Sequence, residues 1–138
     1  VSKIYLCGIT PTPPHEKISK TALGAEKWIP WEYHKQTRRL LEKFKKGQSL
    51  ILNAIASKIG LCIIALEQTK NSINIFQFKK PKNSSIVLVV GNEVKGLSPK
   101  ILKYCDKKTA IPMYGRKESL NVSVAFGIAA YAITHKNS

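Results

Sequence analysis

Acidic residues are scarce in this sequence. Eight Asp and Glu stand against 23 Lys and Arg, which leaves a formal net charge of +15 over 138 residues. An enzyme of small metabolites has no need of such an excess, and a phosphate polymer is the plainest partner for it. Most of the positive charge is lysine, with arginine only at Arg38, Arg39 and Arg116, so a solvated lysine surface without a ligand stays open as an alternative. Long apolar runs are missing too. The longest, Ser85-Ile86-Val87-Leu88-Val89-Val90, is the size of a strand, far below the roughly 20 residues a membrane helix needs. Cysteine occurs only at Cys7, Cys62 and Cys105, far apart and without a CxxC pair, which argues against structural zinc and against a disulfide framework. A reducing, cytoplasmic compartment fits that usage. His15, His34 and His135 have no ligand spacing and read as surface residues. Neither a P-loop (GxxxxGK followed by Ser or Thr) nor the dinucleotide fingerprint GxGxxG is present.

What remains is a globular composition, 43% hydrophobic and 22% charged, with length for a single domain, 1–138, that has a real core. No opening segment reads as a signal peptide. The chain begins at Val1, without Met, inside what reads as a strand, and a trimmed start is expected. Residues 1–7 alternate and are rich in β-branched and aromatic types, as in a strand. A Pro-rich loop follows, then a short helix over 16–23 closed by Gly24. The stretch from Trp28 to Tyr33 is aromatic and extended. Thr37, Leu40, Leu41 and Phe44 share a helical face that Gly47 ends. Ser49 caps a second helical stretch reaching Lys58.

Residues 61–66 form a buried type of strand. The stretch 71–82 is irregular, with a short extended piece over 73–78, and Lys79-Lys80-Pro81-Lys82 is an exposed loop. The run from Ile86 to Val90 is the clearest buried strand and points to a parallel sheet covered on both faces. A short helix over 97–104 has Ser98 as cap and Pro99 in its first turn. A brief strand spans 109–112, and a final helix spans 121–134. That helix is apolar on nearly every face (Val122, Val124, Ala125, Phe126, Ile128, Ala129, Tyr131, Ile133), which places it in the core or at a homodimer interface. Alternating strands and helices imply an α/β fold with a mainly parallel sheet and helices on both faces.

Two segments carry chemistry. The first, Val90-Gly91-Asn92-Glu93-Val94-Lys95-Gly96-Leu97-Ser98, follows the best strand directly. Glycine at the carboxyl end of a strand lets backbone approach a ligand, and ligands of open α/β sheets sit at that edge. A tight turn leading to a capped helix explains the same residues equally well. The second runs from Ile111-Pro112-Met113 through Ser119-Leu120-Asn121 into the final helix. Ser119 or Asn121 can serve as its N-cap, and a helix start also offers free N–H groups to a ligand.

Together, the GNExxGL turn and IPMxGxxxSLNVSVA, in this order and at this separation, resemble the second and third motifs of SpoU-type, TrmH-like methyltransferases of the SPOUT superfamily. The likeness extends over essentially the whole chain. It implies a C-terminal deep trefoil knot, against the general rule that chains avoid knots. It implies S-adenosylmethionine as cofactor, held around Leu88, Val90, Gly91, Asn92 and Glu93, by Ile111, Pro112 and Met113, and by Ser119, Leu120 and Asn121. It also implies a homodimer and methyl transfer to a ribose 2′-hydroxyl of structured tRNA or rRNA. The family's first motif, which carries an asparagine and an arginine, falls ahead of the segment that matches residues 1–7.

Transfer from a sulfonium is an in-line displacement. It needs the hydroxyl held at the methyl carbon and its proton removed, without a metal or a covalent intermediate. Glu93, Ser119 and Asn121 match the family's polar catalytic positions. Asn121 can orient a partner as donor and acceptor, Ser119 offers a hydroxyl, and Glu93 can fix neighbouring side chains or accept a proton. Capping and loop packing are the alternatives for each. For the whole chain, the alternative is a non-catalytic RNA-binding domain on the same scaffold.

Overall fold

The computed structural model describes residues 1–47, 60–116 and 119–135. Two compact units divide the chain, Val1–Leu41 and Glu42–Ser138. The expected helix over 49–58 lies outside the described residues.

In the first unit, strand β1 (Ile4–Cys7) pairs in parallel with β2 (Trp31–His34), Ile4 opposite Trp31 and Cys7 opposite His34. The β-branched and aromatic residues of both segments suit a pleated surface. Tyr33 donates its hydroxyl to the Gly8 carbonyl at 2.7 Å, and Lys3 forms an ion pair with Glu32. That ammonium first, and His34 second, hold the Glu32 carboxyl below its ordinary range. His34 is therefore half-buried on a strand and tilted against Tyr5, where a plain surface residue was expected. Helix α1 (Glu16–Ala22) starts with His15 Nδ1 accepting the Lys17 N–H, at the place expected for its start. It ends one residue early. Leu23 itself takes the left-handed conformation (φ 50°), followed by Gly24 (φ 89°). A 3-10 turn, Ala25–Lys27, then delays the extended stretch to Trp31. Helix α2 (Thr37–Lys45), whose residues are divided between the two units, buries Leu40, Leu41 and Phe44, the face its spacing predicts.

The second unit is built on a four-stranded parallel sheet in the order β4-β6-β3-β5. Its strands are β3 (Gly60–Leu66), β4 (Ile73–Asn74), β5 (Ser84–Val90) and β6 (Lys107–Ala110). Helix α3 (Pro99–Leu102) precedes β6, and helix α4 (Val122–His135) closes the described chain. The core lies where Cys62 and Ile64 of β3, Ile75 and Phe78, and Ala129, Ala132 and Ile133 of α4 come together. Full burial of an aliphatic side chain such as Ile64 contributes roughly 1.5–3 kcal/mol.

The expected α/β class with parallel strands is present, but the strands share burial differently. Cys62, Ile63, Ile64 and Ala65 of β3 are all buried, so this strand is covered on both faces. β5, read as the clearest buried strand, stands at the end of the sheet and is mostly half-buried. An apolar run shows that a strand has covered faces; it does not show which position the strand takes. The irregular stretch after β3 is also more structured than its polarity suggests. Two residues pair as β4, and a 3-10 turn (Ile75–Gln77) then sends Ile75 and Phe78 into the core. The strand expected over 109–112 is shifted to Lys107–Ala110, in register with β3. Ser98 occupies the N-cap of α3 without a side-chain cap bond, and the helix is shorter than expected.

Buried polar groups in the sheet are satisfied. Thr109 is fully buried and donates its hydroxyl to the Ala65 carbonyl at 2.9 Å. Asp106 accepts the Ile63 N–H at 2.7 Å, returns its own N–H to the Ile63 carbonyl, and pairs with Lys45. Cys62 is buried in the core, and Cys7 and Cys105 are half-buried. Burial pushes all three thiols up, Cys105 to about 11 with Asp106 adding to it, which keeps them protonated and unreactive at neutral pH. Lys79, Lys80, Pro81 and Lys82 are exposed, as expected for a loop.

Candidate functional site

The carboxyl ends of β3, β5 and β6 open into one cleft of about 520 Å³. This is the edge at which parallel sheets hold ligands, because backbone donors and loop side chains converge there. Leu66, Glu67 and Gln68 line it from β3, and the turn from Val90 to Gly96 lines it from β5. Ala110, Ile111 and Met113 come from β6, and Ser119, Leu120, Val122 and Ala125 from the start of α4. Two motifs separated in the chain thus form walls of one cavity.

The first wall is a closed turn. Asn92 accepts the Val94 and Lys95 N–H groups on Oδ1 at 2.9 and 3.2 Å, and its carbonyl accepts the Gly96 N–H at 2.8 Å. An Asn side chain satisfying the backbone ahead of it is a common way to hold a turn. Gly91 has a steric reason to be glycine. A Cβ there would stand 2.5 Å from the Gly96 carbonyl carbon and 2.9 Å from the Leu97 nitrogen. This is close approach of backbone to backbone within the turn, the tight-turn alternative that the sequence offered for this glycine. Gly96 has φ +58°, and a Cβ on it would meet both carboxylate oxygens of Glu67 at 2.6 and 2.8 Å.

The second wall ends in a capped helix. Asn121 accepts both the N–H and the hydroxyl of Ser123 on Oδ1, at 3.0 and 2.5 Å. This is N-cap geometry, worth about 0.5–2 kcal/mol. Ahead of it, Tyr114 is 95% exposed and Arg116 is exposed.

Most residues singled out by sequence meet in the cleft. Val90, Gly91, Asn92, Glu93, Ile111, Met113, Ser119 and Leu120 all line it. Glu93 is exposed and makes no hydrogen bond or ion pair among the described residues. Leu88, Pro112 and Asn121 lie outside the lining. Leu88 packs against the core, Pro112 is half-buried between two lining residues, and Asn121 sits between Leu120 and Val122 with its side-chain oxygen committed to the cap. Sequence reasoning missed Glu67 and Gln68. The available signal was their place immediately after a buried parallel strand. Among the described residues no three His, Cys, Asp or Glu group as a metal site, and no described helix is long and apolar enough to cross a membrane.

Comparison with known proteins agrees with these motifs. The model of the SpoU rRNA Methylase family matches residues 1–131. A tRNA (guanosine(18)-2′-O)-methyltransferase of Aquifex aeolicus is 40% identical over 108 residues, covering 78% of this chain and 44% of that protein. The enzyme of the same name from Borreliella burgdorferi is 29% identical over 119 residues, covering 86% and 48%. The chain thus spans about half the length of these relatives. Among solved structures, the A. aeolicus TrmH/SpoU tRNA modifying enzyme superposes with a TM-score of 0.72 at 33% identity, over 94% of this chain and 58% of that one. An AdoMet-bound rRNA methyltransferase from Sinorhizobium meliloti shares the fold, with a TM-score of 0.73 at 24% identity, over 96% and 45%. With two motifs meeting at one sheet edge and a family match along nearly its whole length, this chain belongs to the SpoU rRNA methylase family.

Proposed function

We propose that this chain supplies the cofactor cleft of a methyltransferase that moves a methyl group from S-adenosylmethionine to a ribose 2′-hydroxyl of tRNA or rRNA. The observation that carries this is the meeting of the Val90–Gly96 turn and the Ile111–Leu120 segment in one cleft. The residues fit the cofactor. A cleft of about 520 Å³ is in the range of small-molecule sites, and Leu66, Val90, Ile111 and Leu120 offer an apolar surface to an adenine ring. Backbone groups of Val90, Gly91, Asn92, Ile111, Pro112 and Met113, with Leu88 behind them, form its bed.

When bound, S-adenosylmethionine supplies a methyl group on a positively charged sulfur. The chain's own work is to orient the acceptor and deal with its proton. Ser119 holds the ribose by its hydroxyl, Asn121 orients the same group through its amide nitrogen, its oxygen being the cap, and Glu93, without a partner among the described residues, takes up the proton or fixes the residue that does. The lysine excess draws RNA to the surface. The family resemblance also supports a C-terminal trefoil knot, a cytoplasmic enzyme and a single catalytic domain. The working unit is a homodimer. Helix α4 leaves Val124 50% and Tyr131 65% exposed on its outer side, an apolar face suited to a second copy.

Calorimetry with S-adenosylmethionine, followed by a radiolabelled methyl-transfer assay on bulk tRNA and rRNA, tests the proposal. Cofactor uptake with alkali-resistant ribose methylation is the expected result. RNA binding without cofactor uptake would instead make the chain a non-catalytic RNA-binding domain.

A further inference from the structure

We propose that Glu67 is a positioning residue that locks the cofactor turn, an inference that rests on the cleft holding S-adenosylmethionine. Glu67 stands just past the end of β3, anchored by its own N–H on the Thr109 carbonyl at 2.9 Å. Its half-buried carboxylate reaches across the sheet edge, and Oε2 accepts the Leu97 N–H at 2.6 Å. Leu97 is the residue at which the turn leaves the cleft toward α3, so β3 and β6 hold the far end of a turn that springs from β5.

Two glycines make the contact possible. Gly96 has a φ of +58°, which side chains rarely adopt, and a Cβ on it would also push the Glu67 carboxylate out of place. Gly91 can carry no side chain because Gly96 and Leu97 are drawn in against it. Glu67, Gly91 and Gly96 therefore act as one latch, in which the two glycines let the turn close and the carboxylate holds its far end. A hydrogen bond to an ionised acceptor is stronger than a neutral one, so the choice of Glu over an apolar residue stiffens the turn beyond what Asn92 does alone.

The latch fixes the backbone that meets the cofactor and touches no reacting atom. Its loss should therefore appear in cofactor affinity, while RNA affinity is left alone. The test uses the intact protein and two variants, Glu67→Ala and Glu67→Gln. Calorimetry with S-adenosylmethionine should give a dissociation constant about tenfold weaker for Glu67→Ala, the usual scale for losing a charge-assisted bond. Glu67→Gln should recover most of the affinity, since the carboxamide oxygen accepts the same N–H. Filter binding of tRNA should be unchanged in both. Amide hydrogen exchange of the cofactor-free protein should speed up at Gly96 and Leu97 in Glu67→Ala while β3 stays protected.

Unchanged cofactor affinity in Glu67→Ala overturns the inference, as does unchanged exchange at Leu97. Exchange that accelerates throughout β3 would make Glu67 a general stabiliser of the sheet and overturn it as well. If Glu67→Ala does not fold, Glu67→Gln decides through exchange: the weaker neutral acceptor should speed exchange at Leu97 modestly while β3 stays protected, and unchanged exchange at Leu97 overturns the inference. If the wild-type protein takes up no cofactor, the functional reading falls, and exchange at Leu97 tests the latch by itself.

Discussion

The two walls of the cleft are built on different principles. The turn between Val90 and Leu97 is closed on itself. Asn92 ties three backbone N–H groups, Gly91 lies against Gly96, and Glu67 holds Leu97 from a neighbouring strand. On the other wall, the described residues leave β6 toward Ile111, hold Tyr114 almost wholly in solvent, and enter α4 through the Asn121 cap. A closed turn is arranged before its ligand arrives and spends little ordering entropy on binding. An exposed stretch such as that around Tyr114 can shape itself to a large, irregular partner such as RNA. The contrast fits the proposed function, with the turn and Ile111–Met113 at the cofactor and the exposed stretch around Tyr114 toward the acceptor.

Four measurements would break or sharpen that contrast. The largest effect is expected from Asn121→Ala. Methyl transfer should fall about a hundredfold or more, as when an orienting or proton-handling group is removed. Losing the cap should cost a further 0.5–2 kcal/mol or so of stability. A radiolabelled assay and thermal melting separate the two, and a variant that only melted earlier would reduce Asn121 to a cap. Next comes Gly91→Ala. Its Cβ has no room, so stability should drop by about 1–3 kcal/mol and cofactor binding with it. A normal melting curve would show that the turn is looser than its contacts imply.

Asn92→Ala should have a smaller, more selective effect. It removes two side-chain bonds within the turn, each worth roughly 0.5–1.5 kcal/mol, and should weaken the cofactor with little change in the rate at saturation. A change in rate alone would move Asn92 from the turn's framework to the chemistry. The smallest effect is expected from Tyr114→Ala, which should alter stability by less than about 0.5 kcal/mol. Its melting temperature reports whether Tyr114 contributes as little to packing as its exposure indicates. RNA affinity itself should fall steeply with salt, by about 0.7 to 0.9 log units per log unit of salt for each phosphate neutralised.

Legibility followed the range of the interactions. The Asn92 turn and the Asn121 cap are local, made by a side chain with backbone two or three residues on, and their residue types are visible in sequence. The α2 face of Leu40, Leu41 and Phe44 was equally visible, because helical periodicity is local as well. The pairing of Ile73–Asn74 with β6 could not be seen, since two residues carry no period. The contact that Glu67 makes could not be seen for another reason. Its partner Leu97 is 30 residues away, and nothing in either neighbourhood names the other.

By itself, then, the sequence determined the α/β alternation, the two motifs with their family resemblance, and the positive charge. Each is a property of residue type and short spacing. Tertiary structure alone decided that β3 and not β5 takes the doubly covered place, that the ends of β3, β5 and β6 open into one cleft, and that a carboxylate from one strand latches the turn of another. Those outcomes depend on which distant segments share the sheet, because a hydrogen bond or a buried face is satisfied in space and leaves no mark on the intervening chain.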